Sequence, residues 1–584
     1  MSGLIAVCVR DTSADGRLRE VLERCARRLT PDNISPRPPS TRLSPGIGFT
    51  VTNPAPGLSL DANGVCLGAM QGSPTSWARV SSPAPDGSYV LLRHDDGSLE
   101  LISDALASRT VWYVQTADLF LASTSQRALI SLLGDFQLNR EAVLWMATSG
   151  TLGPVASWDR RLSRVPGSST LRLDRRSWRL HLTTEPVTFE PSGLSDEEHI
   201  AELGAALLDS CADLRVDLAR WVLPLSGGMD SRALLLAFLE TGRRPRCVTW
   251  GLRSAVADPE NDAAIAKVLA DKSGVEHRYY PTDHSDEEVG RVLGRFLVAG
   301  EGRSEDFAGY TDGLATWQTL FESGIAGVIR GDEPGWGYRS YHSESYARRR
   351  VHLKILADYP SSHLIHHLGL EPQPIPPELL RGERETLTTY RDRIYEAFNL
   401  PTFFAALNDV KTPYVEVVNP FLTLRVVSVV RALPDHLREN RRAFAAFVHA
   451  FGPEVPFARH AAPADPTEYL ARPSLIAELR RELGSSQAES VLERRALDHL
   501  AAALDRPSTF DARRRLRQAA RKVIPHELAR RLQPNAPILL SARELSFRLY
   551  IASRMAGMLG QDAAAASHVW QSDQRAQGAP PCPA

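Results

Sequence analysis

The run Trp221-Val222-Leu223-Pro224, followed at once by Leu225-Ser226-Gly227-Gly228-Met229-Asp230-Ser231, constrains the fold more than any other segment of the chain. An apolar strand enters a double-glycine turn, and the spacing predicts a helix over 232–240 directly behind it. Adjacent glycines let the backbone approach an anion closely, and the helix N-terminus adds partial positive charge at the same place. The amides of Gly227, Gly228 and Met229 are then expected to face phosphate oxygens. Ser226 and Ser231 add hydroxyl donors, and Asp230 offers a carboxylate for Mg2+. The spacing is not G-x-x-x-x-G-K-[ST], and the loop has no lysine. The same residues also make an ordinary helix-capping turn, but the apolar segments on both sides favour anion binding.

At 584 residues the chain is too long for one core, and two to four domains are expected. The 68 basic and 69 acidic side chains nearly cancel, which gives no reason to expect nucleic acid or an anionic membrane as partner. The first residues, Met1 to Val7, lack a charged n-region, and no 18 apolar residues run together, so a cytoplasmic protein is expected. Cys8, Cys25, Cys66, Cys211, Cys247 and Cys582 form no C-x-x-C pair and read as free thiols.

Up to about residue 190, short strands alternate with turns. Strands at 89–93 and 99–103 make a hairpin, two more follow at 110–115 and 119–122, helices at 125–133 and 140–148, and a strand at 169–173. This predicts an α+β domain of layered antiparallel sheets over 1–190. The Pro-, Gly- and acid-rich stretch 185–197 is the expected linker. Beyond it a helix is expected over 200–218, then strands at 221–224, 246–250 and 325–330, with a helix at 262–273. That alternation predicts an α/β parallel sheet over 198–560 with a helical C-terminal part, and ligands beyond the carboxyl ends of its strands. The basic stretch around Arg513-Arg514-Arg515 reads as a solvated helix face, and 561–584 as a disordered tail.

Ser-Gly-Gly-x-Asp-Ser resembles the loop of the pyrophosphate-loop ATPases, which cleave ATP between its α and β phosphates. With Gly331-Asp332-Glu333 after the third strand and Glu416-Val417-Val418-Asn419-Pro420-Phe421-Leu422 further on, most of the chain resembles the asparagine synthetase family. Its N-terminal part is similar to that family's glutaminase domain through Asp86-Gly87-Ser88-Tyr89, Ser103-Asp104, Trp112-Tyr113 and Ala122-Ser123-Thr124. Thr249-Trp250-Gly251, Tyr310-Thr311-Asp312-Gly313 and Arg330-Gly331-Asp332-Glu333 resemble most the lasso peptide cyclases. The chain departs from glutamine-dependent members at Ser2, where they carry cysteine, and has no Asn-Gly-Glu triplet, so a degenerate, structural N-terminal domain is expected.

The resemblance implies an ATP-dependent macrolactam synthetase. Such an enzyme adenylates an Asp or Glu side chain of a ribosomal precursor peptide and joins it to the N-terminal amine as an isopeptide bond, releasing AMP and pyrophosphate. A leader peptidase and a leader-recognition protein are the implied partners. A β-lactam synthetase-like amide former and an ammonia-dependent asparagine synthetase are the alternatives. ATP and Mg2+ are the implied cofactors, bound by Leu225 to Ser231, Thr249, Trp250, Gly251, Arg330 and Gly331, with the metal between Asp230 and Asp332. Asp230, Asp332 and Glu333 are the expected catalytic residues, Glu333 as base or else in a salt bridge to Arg330 or Arg339. Trp250 serves equally as pocket wall or core ring. Arg441 or Arg442 stands where relatives use a lysine, or lies on a solvated helix face. Tyr310, Asp312, Trp336, Tyr338 and Tyr341 are expected around the substrate pocket.

Overall fold

The computed structural model describes residues 3–11, 15–72, 74–335, 343–360, 362–504, 538 and 540–566. Its N-terminal part holds twelve strands: β1 (Gly3–Val9), β2 (Ser40–Ser44), β3 (Ile47–Thr52), β4 (Ser59–Leu60), β5 (Gly64–Met70), β6 (Gly87–His94), β7 (Ser98–Ser103), β8 (Trp112–Gln115), β9 (Leu119–Ser123), β10 (Ser163–Arg164), β11 (Ser169–Asp174) and β12 (Arg179–Thr184). They form two six-stranded antiparallel sheets, in the orders β10-β8-β9-β1-β3-β2 and β12-β11-β7-β6-β5-β4. Alternation along β1 explains the layering. Leu4, Ala6 and Cys8 point into the core between the sheets, where they join Phe49, Leu67, Val90 and Leu101. Ile5, Val7 and Val9 point to the opposite face, onto the helix Asp15–Arg28. The expected hairpin is β6 and β7. Its register sets Arg93 opposite Glu100, a buried ion pair at 2.6 Å.

The linker ends at Ser195, which forms a capping box with Glu198 and starts a helix at Asp196, so the helix runs Asp196–Ala212 rather than 200–218. It stops early because the chain turns to bridge Leu214 to Gln71 of the N-terminal part. Five strands then form a parallel sheet: β13 (Trp221–Pro224), β14 (Arg246–Gly251), β15 (His277–Pro281), β16 (Gly327–Ile329) and β17 (Glu416–Val418), in the order β15-β14-β13-β16-β17. The chain winds outward from β13 to β15, then returns on the other side of β13 as β16. The carboxyl ends of β13 and β16 therefore border a topological switch point, where open α/β sheets bind ligands. The edge strands β15 and β17 were not expected. β15 reads as polar, and β17 has three residues.

Helices pack beyond the sheet. The last, Ala542–Ala566, returns to the N-terminal part, where Asp562 accepts from Arg127 at 2.7 Å and Arg548 donates to the Ala147 carbonyl at 2.9 Å. Residues 561–566 thus belong to this helix and not to a disordered tail. Residues 567–584, Cys582 and the 513–531 basic stretch lie outside the described residues. The other five cysteines are buried free thiols. Among the described residues no helix is long and apolar enough to cross a membrane.

Candidate active site

The loop after β13 is fastened by its own polar atoms. The Ser226 amide donates to Ser231 Oγ at 2.9 Å, and the Gly228 amide donates to Ser226 Oγ at 3.1 Å. A Cβ on Gly227 would fall 2.5 Å from Ala458 Cβ and 2.9 Å from Ile265 Cβ, so the turn fits against its neighbours only as glycine. The helix begins at Met229, earlier than the expected 232, which puts Asp230 and Ser231 in its first turn. The Gly227 amide donates to Asp262 Oδ1 at 3.1 Å. Asp262 begins the helix Asp262–Ser273, and burial pushes its carboxyl up. Sequence reasoning found that helix and passed over the carboxylate.

Beside the loop, Thr249 donates to the Leu225 carbonyl at 2.6 Å and shares a 2.8 Å hydrogen bond with His277 Nε2. Trp250 is half-buried. It lines a cleft and packs edge-on against Trp317, with ring centroids 5.0 Å apart. Gly251 departs from expectation, because a Cβ there would fall 2.5 Å from Ala462 Cβ, so it packs against that residue rather than facing the cleft. Leu225 lines the cleft from the core, and Met229, which does not line it, packs partly buried against the same core cluster.

The turn after β16 carries the charge. Arg330 donates to Asp332 at 2.7 Å, and Asn419 Nδ2 donates to the same carboxylate at 2.8 Å. Burial raises the Asp332 carboxyl, and the adjoining Arg330 guanidinium outweighs it, holding the group below the usual carboxylate range. Glu333 pairs with Arg441, whose guanidinium also contacts Asp230. Neither partner expected for Glu333 is thus the one found: Arg330 belongs to Asp332, and Arg339 lies outside the described residues. Arg441 is buried, and Arg442 is exposed. Asn440 and Arg441 both occupy the left-handed region, at φ 54° and 59°, a conformation that non-glycine residues hold mostly where function or packing demands it.

These groups stand where two clefts meet. The first, of about 750 Å³, is walled by Ser226, Ser231, Thr249, Trp250, Asp262 and Gly331 among others. The second, of about 770 Å³, is an aromatic lobe that includes His352, Tyr395, Asn399, Phe403 and Phe404. Asp230 and Asp332 line both. His352 stacks on Phe403 at 3.7 Å, and Tyr395, Asn399, Phe403 and Phe404 all belong to a π-helical segment, Tyr395–Phe404. Such segments recur at functional sites, and Pro401 with the Phe403-Phe404 doublet was its signal in the sequence. Tyr310 and Asp312 do not line this lobe. Tyr310 is core, and Asp312 accepts from the Leu314 and Thr316 amides at the start of the helix Ala315–Glu322. Trp336, Tyr338 and Tyr341 lie outside the described residues.

Asp230 and Asp332 are hard oxygen donors facing one space, and Mg2+ takes one or two carboxylates and fills its octahedron with water and phosphate. The donor set fits that ion. No group of three or more His, Cys, Asp or Glu side chains suited to a metal occurs among the described residues, so an all-protein cage is not what these residues offer.

No family model matches the chain, and no curated protein matches it. Among solved structures it is similar to the glutamine phosphoribosylpyrophosphate amidotransferase of B. subtilis, solved with ADP and GMP. The identity is 8%, the TM-score is 0.19, and the match covers 47% of this chain and 65% of that one. The chain thus spans just under two thirds of that structure, and a likeness of this size carries no functional argument. The fold itself is that of layered antiparallel sheets followed by an α/β parallel sheet with helices.

Proposed function

We propose that the protein is an ATP-dependent carbon–nitrogen ligase that forms AMP, and that it closes a macrolactam within a peptide. The observation that supports this most is the junction of the two clefts at Asp230 and Asp332. An acyl-adenylate needs its phosphate within reach of an anion-binding loop and its acyl carbon within reach of a second substrate. A two-lobed site with carboxylates at the waist has that form.

In this reading the loop from Leu225 to Ser231 holds the pyrophosphate, with the Ser226 and Ser231 hydroxyls and the N-terminus of the helix that begins at Met229 as donors, the Gly227 and Gly228 amides being taken by Asp262 and Ser226. Thr249 and Trp250 border the nucleotide lobe, and Arg330 holds Asp332 ionised and in place. Asp230 and Asp332 would hold Mg2+, which supplies charge neutralisation to the departing pyrophosphate. Arg441, rather than Arg442, is the cation paired with Asp230 and Glu333, and in this reading its guanidinium neutralises charge beside them without giving up a proton. The aromatic lobe takes the substrate that carries carboxylate and amine. Holding both ends of one flexible molecule together is worth up to about 7 to 11 kcal/mol of barrier.

The test is release of AMP and pyrophosphate from magnesium-ATP with three additions: a linear peptide with a free N-terminus and an internal Asp or Glu, a carboxyethyl-arginine-like β-amino acid, and aspartate with ammonia. Peptide-dependent AMP and a product lighter by one water are expected. AMP with either small substrate replaces the macrolactam reading with that of the corresponding alternative, and AMP with none overturns the ligase reading.

A further inference from the structure

Glu396 is a buried carboxylate for which the foregoing chemistry has no use. It lies in the π-helical segment and is 1% exposed. Its Oε2 accepts from Arg431 Nε at 2.8 Å. Its Oε1 and the Arg431 Nη2 have no hydrogen-bond partner among the described residues. Buried polar atoms are rarely left so, and those that are call for a functional account.

Its position supplies one. Asp392, Tyr395 and Asn399, which flank Glu396 on the same helical stretch, all line the aromatic lobe. Gly335 lines it too, and a Cβ at Gly335 would stand 3.5 Å from Glu396 Oε1. Gly335, two residues along the chain from Glu333, has no side chain to fill the space beside that unpartnered oxygen. Glu333, expected as the base, gives its carboxylate to Arg441 instead.

We propose that Glu396 is the proton acceptor for the attacking amine, with Arg431 positioning it. This rests on the ligase reading. The substrate ammonium gives one N–H proton to Glu396 Oε1, and the freed lone pair forms the C–N bond at the acyl carbon. The acyl C–O bond to the phosphate breaks, its electron pair leaving with AMP. The second nitrogen proton goes to the departing phosphate, so a neutral amide and a protonated Glu396 remain. The charged groups facing Glu396 are Arg431 from the helix Leu424–Ala432, Asp392 from the helix Leu387–Ile394, and Arg438 from the helix Asp435–Arg438. Burial raises the carboxyl and Arg431 lowers it, leaving it at about 7, where an acceptor works near neutral pH.

The experiment compares wild type, Glu396→Gln and Glu396→Asp in ATP–pyrophosphate exchange and in product formation from a linear peptide with a free N-terminus and an internal glutamate. Hydroxylamine, whose nitrogen is neutral at pH 7, serves as a second nucleophile that needs no proton acceptor. For Glu396→Gln, unchanged exchange and unchanged hydroxamate are expected, with ring closure reduced about 100-fold and its rise with pH abolished. Glu396→Asp keeps the charge beside Arg431 and is expected to stay folded while losing about tenfold in ring closure. Ring closure within threefold of wild type in Glu396→Gln overturns the proposal. So does equal loss of hydroxamate and ring, which marks a structural role. Absence of exchange in wild type overturns the ligase reading itself, and this proposal with it.

Discussion

Arg441, in the left-handed backbone region, sets its guanidinium against the carboxylate of Glu333, 108 residues earlier in the chain, and reaches Asp230 with the same nitrogen. One cation thus ties the helix behind the loop to the turn after β16. Removing it strands a buried carboxylate, which typically costs about 3 to 5 kcal/mol. Arg441→Met is expected to lower the urea midpoint accordingly and to abolish AMP formation, whereas Arg442→Met, at an exposed position, leaves both within error.

Asp332 gives a pH signature. Its folded carboxyl is held below the usual range by Arg330, against the opposing effect of burial. A depressed acid contributes stability that is fully present above its unfolded value, about 3.9, and is lost as pH falls through the folded value. Urea unfolding measured from pH 6 down to pH 2 is expected to show a shallower acid loss in Asp332→Asn than in wild type. Equal slopes would mean that the Arg330 pairing does not hold Asp332 ionised.

Asp86 crosses between the two parts of the chain. Its carboxylate accepts from the Leu424 amide at 2.7 Å and the Arg425 amide at 3.0 Å, capping a helix more than 300 residues away. Asp86→Ala is expected to cost about 1 kcal/mol in chemical denaturation. Asp86→Asn retains an acceptor and should recover most of that loss.

The loop motif, β13, β14 and the helix at 262–273 were legible because each is a contiguous apolar pattern bounded by turn residues. Asp230, Asp332 and Glu333 were legible because they follow strand ends directly. What escaped was set by long-range packing. Gly251 belongs to a motif but faces Ala462, a contact that no local pattern encodes. Asp312 looked like a site carboxylate and serves as a helix cap. The π-helical wall breaks the 3.6-residue period on which helix reading depends, so Tyr395, Asn399, Phe403 and Phe404 were passed over together. Arg441 was noticed as a cation, but its ion pairs depend on two left-handed residues.

The two clefts are separable by mutation. Phe403→Ala removes the ring under His352 and opens the aromatic lobe without touching the loop. Its KM for the peptide is expected to rise at least about tenfold, the equivalent of 1.4 kcal/mol, with KM for ATP unchanged. A parallel rise in both would show that the lobes are not independent.

Gly227→Ala tests the loop itself. The added methyl falls 2.5 Å from Ala458 Cβ, so overpacking is expected to cost about 1 to 3 kcal/mol in thermal unfolding and to displace the loop from its hydrogen bond to Asp262.

The central claim, that this loop and these carboxylates activate a carboxylate through AMP, is tested most directly by ATP–pyrophosphate exchange with the glutamate-containing linear peptide, in wild type and in Asp230→Asn. Exchange that needs both peptide and magnesium, and is abolished in Asp230→Asn, is the predicted result. Release of ADP and phosphate in place of AMP and pyrophosphate, or exchange that survives Asp230→Asn, would contradict it.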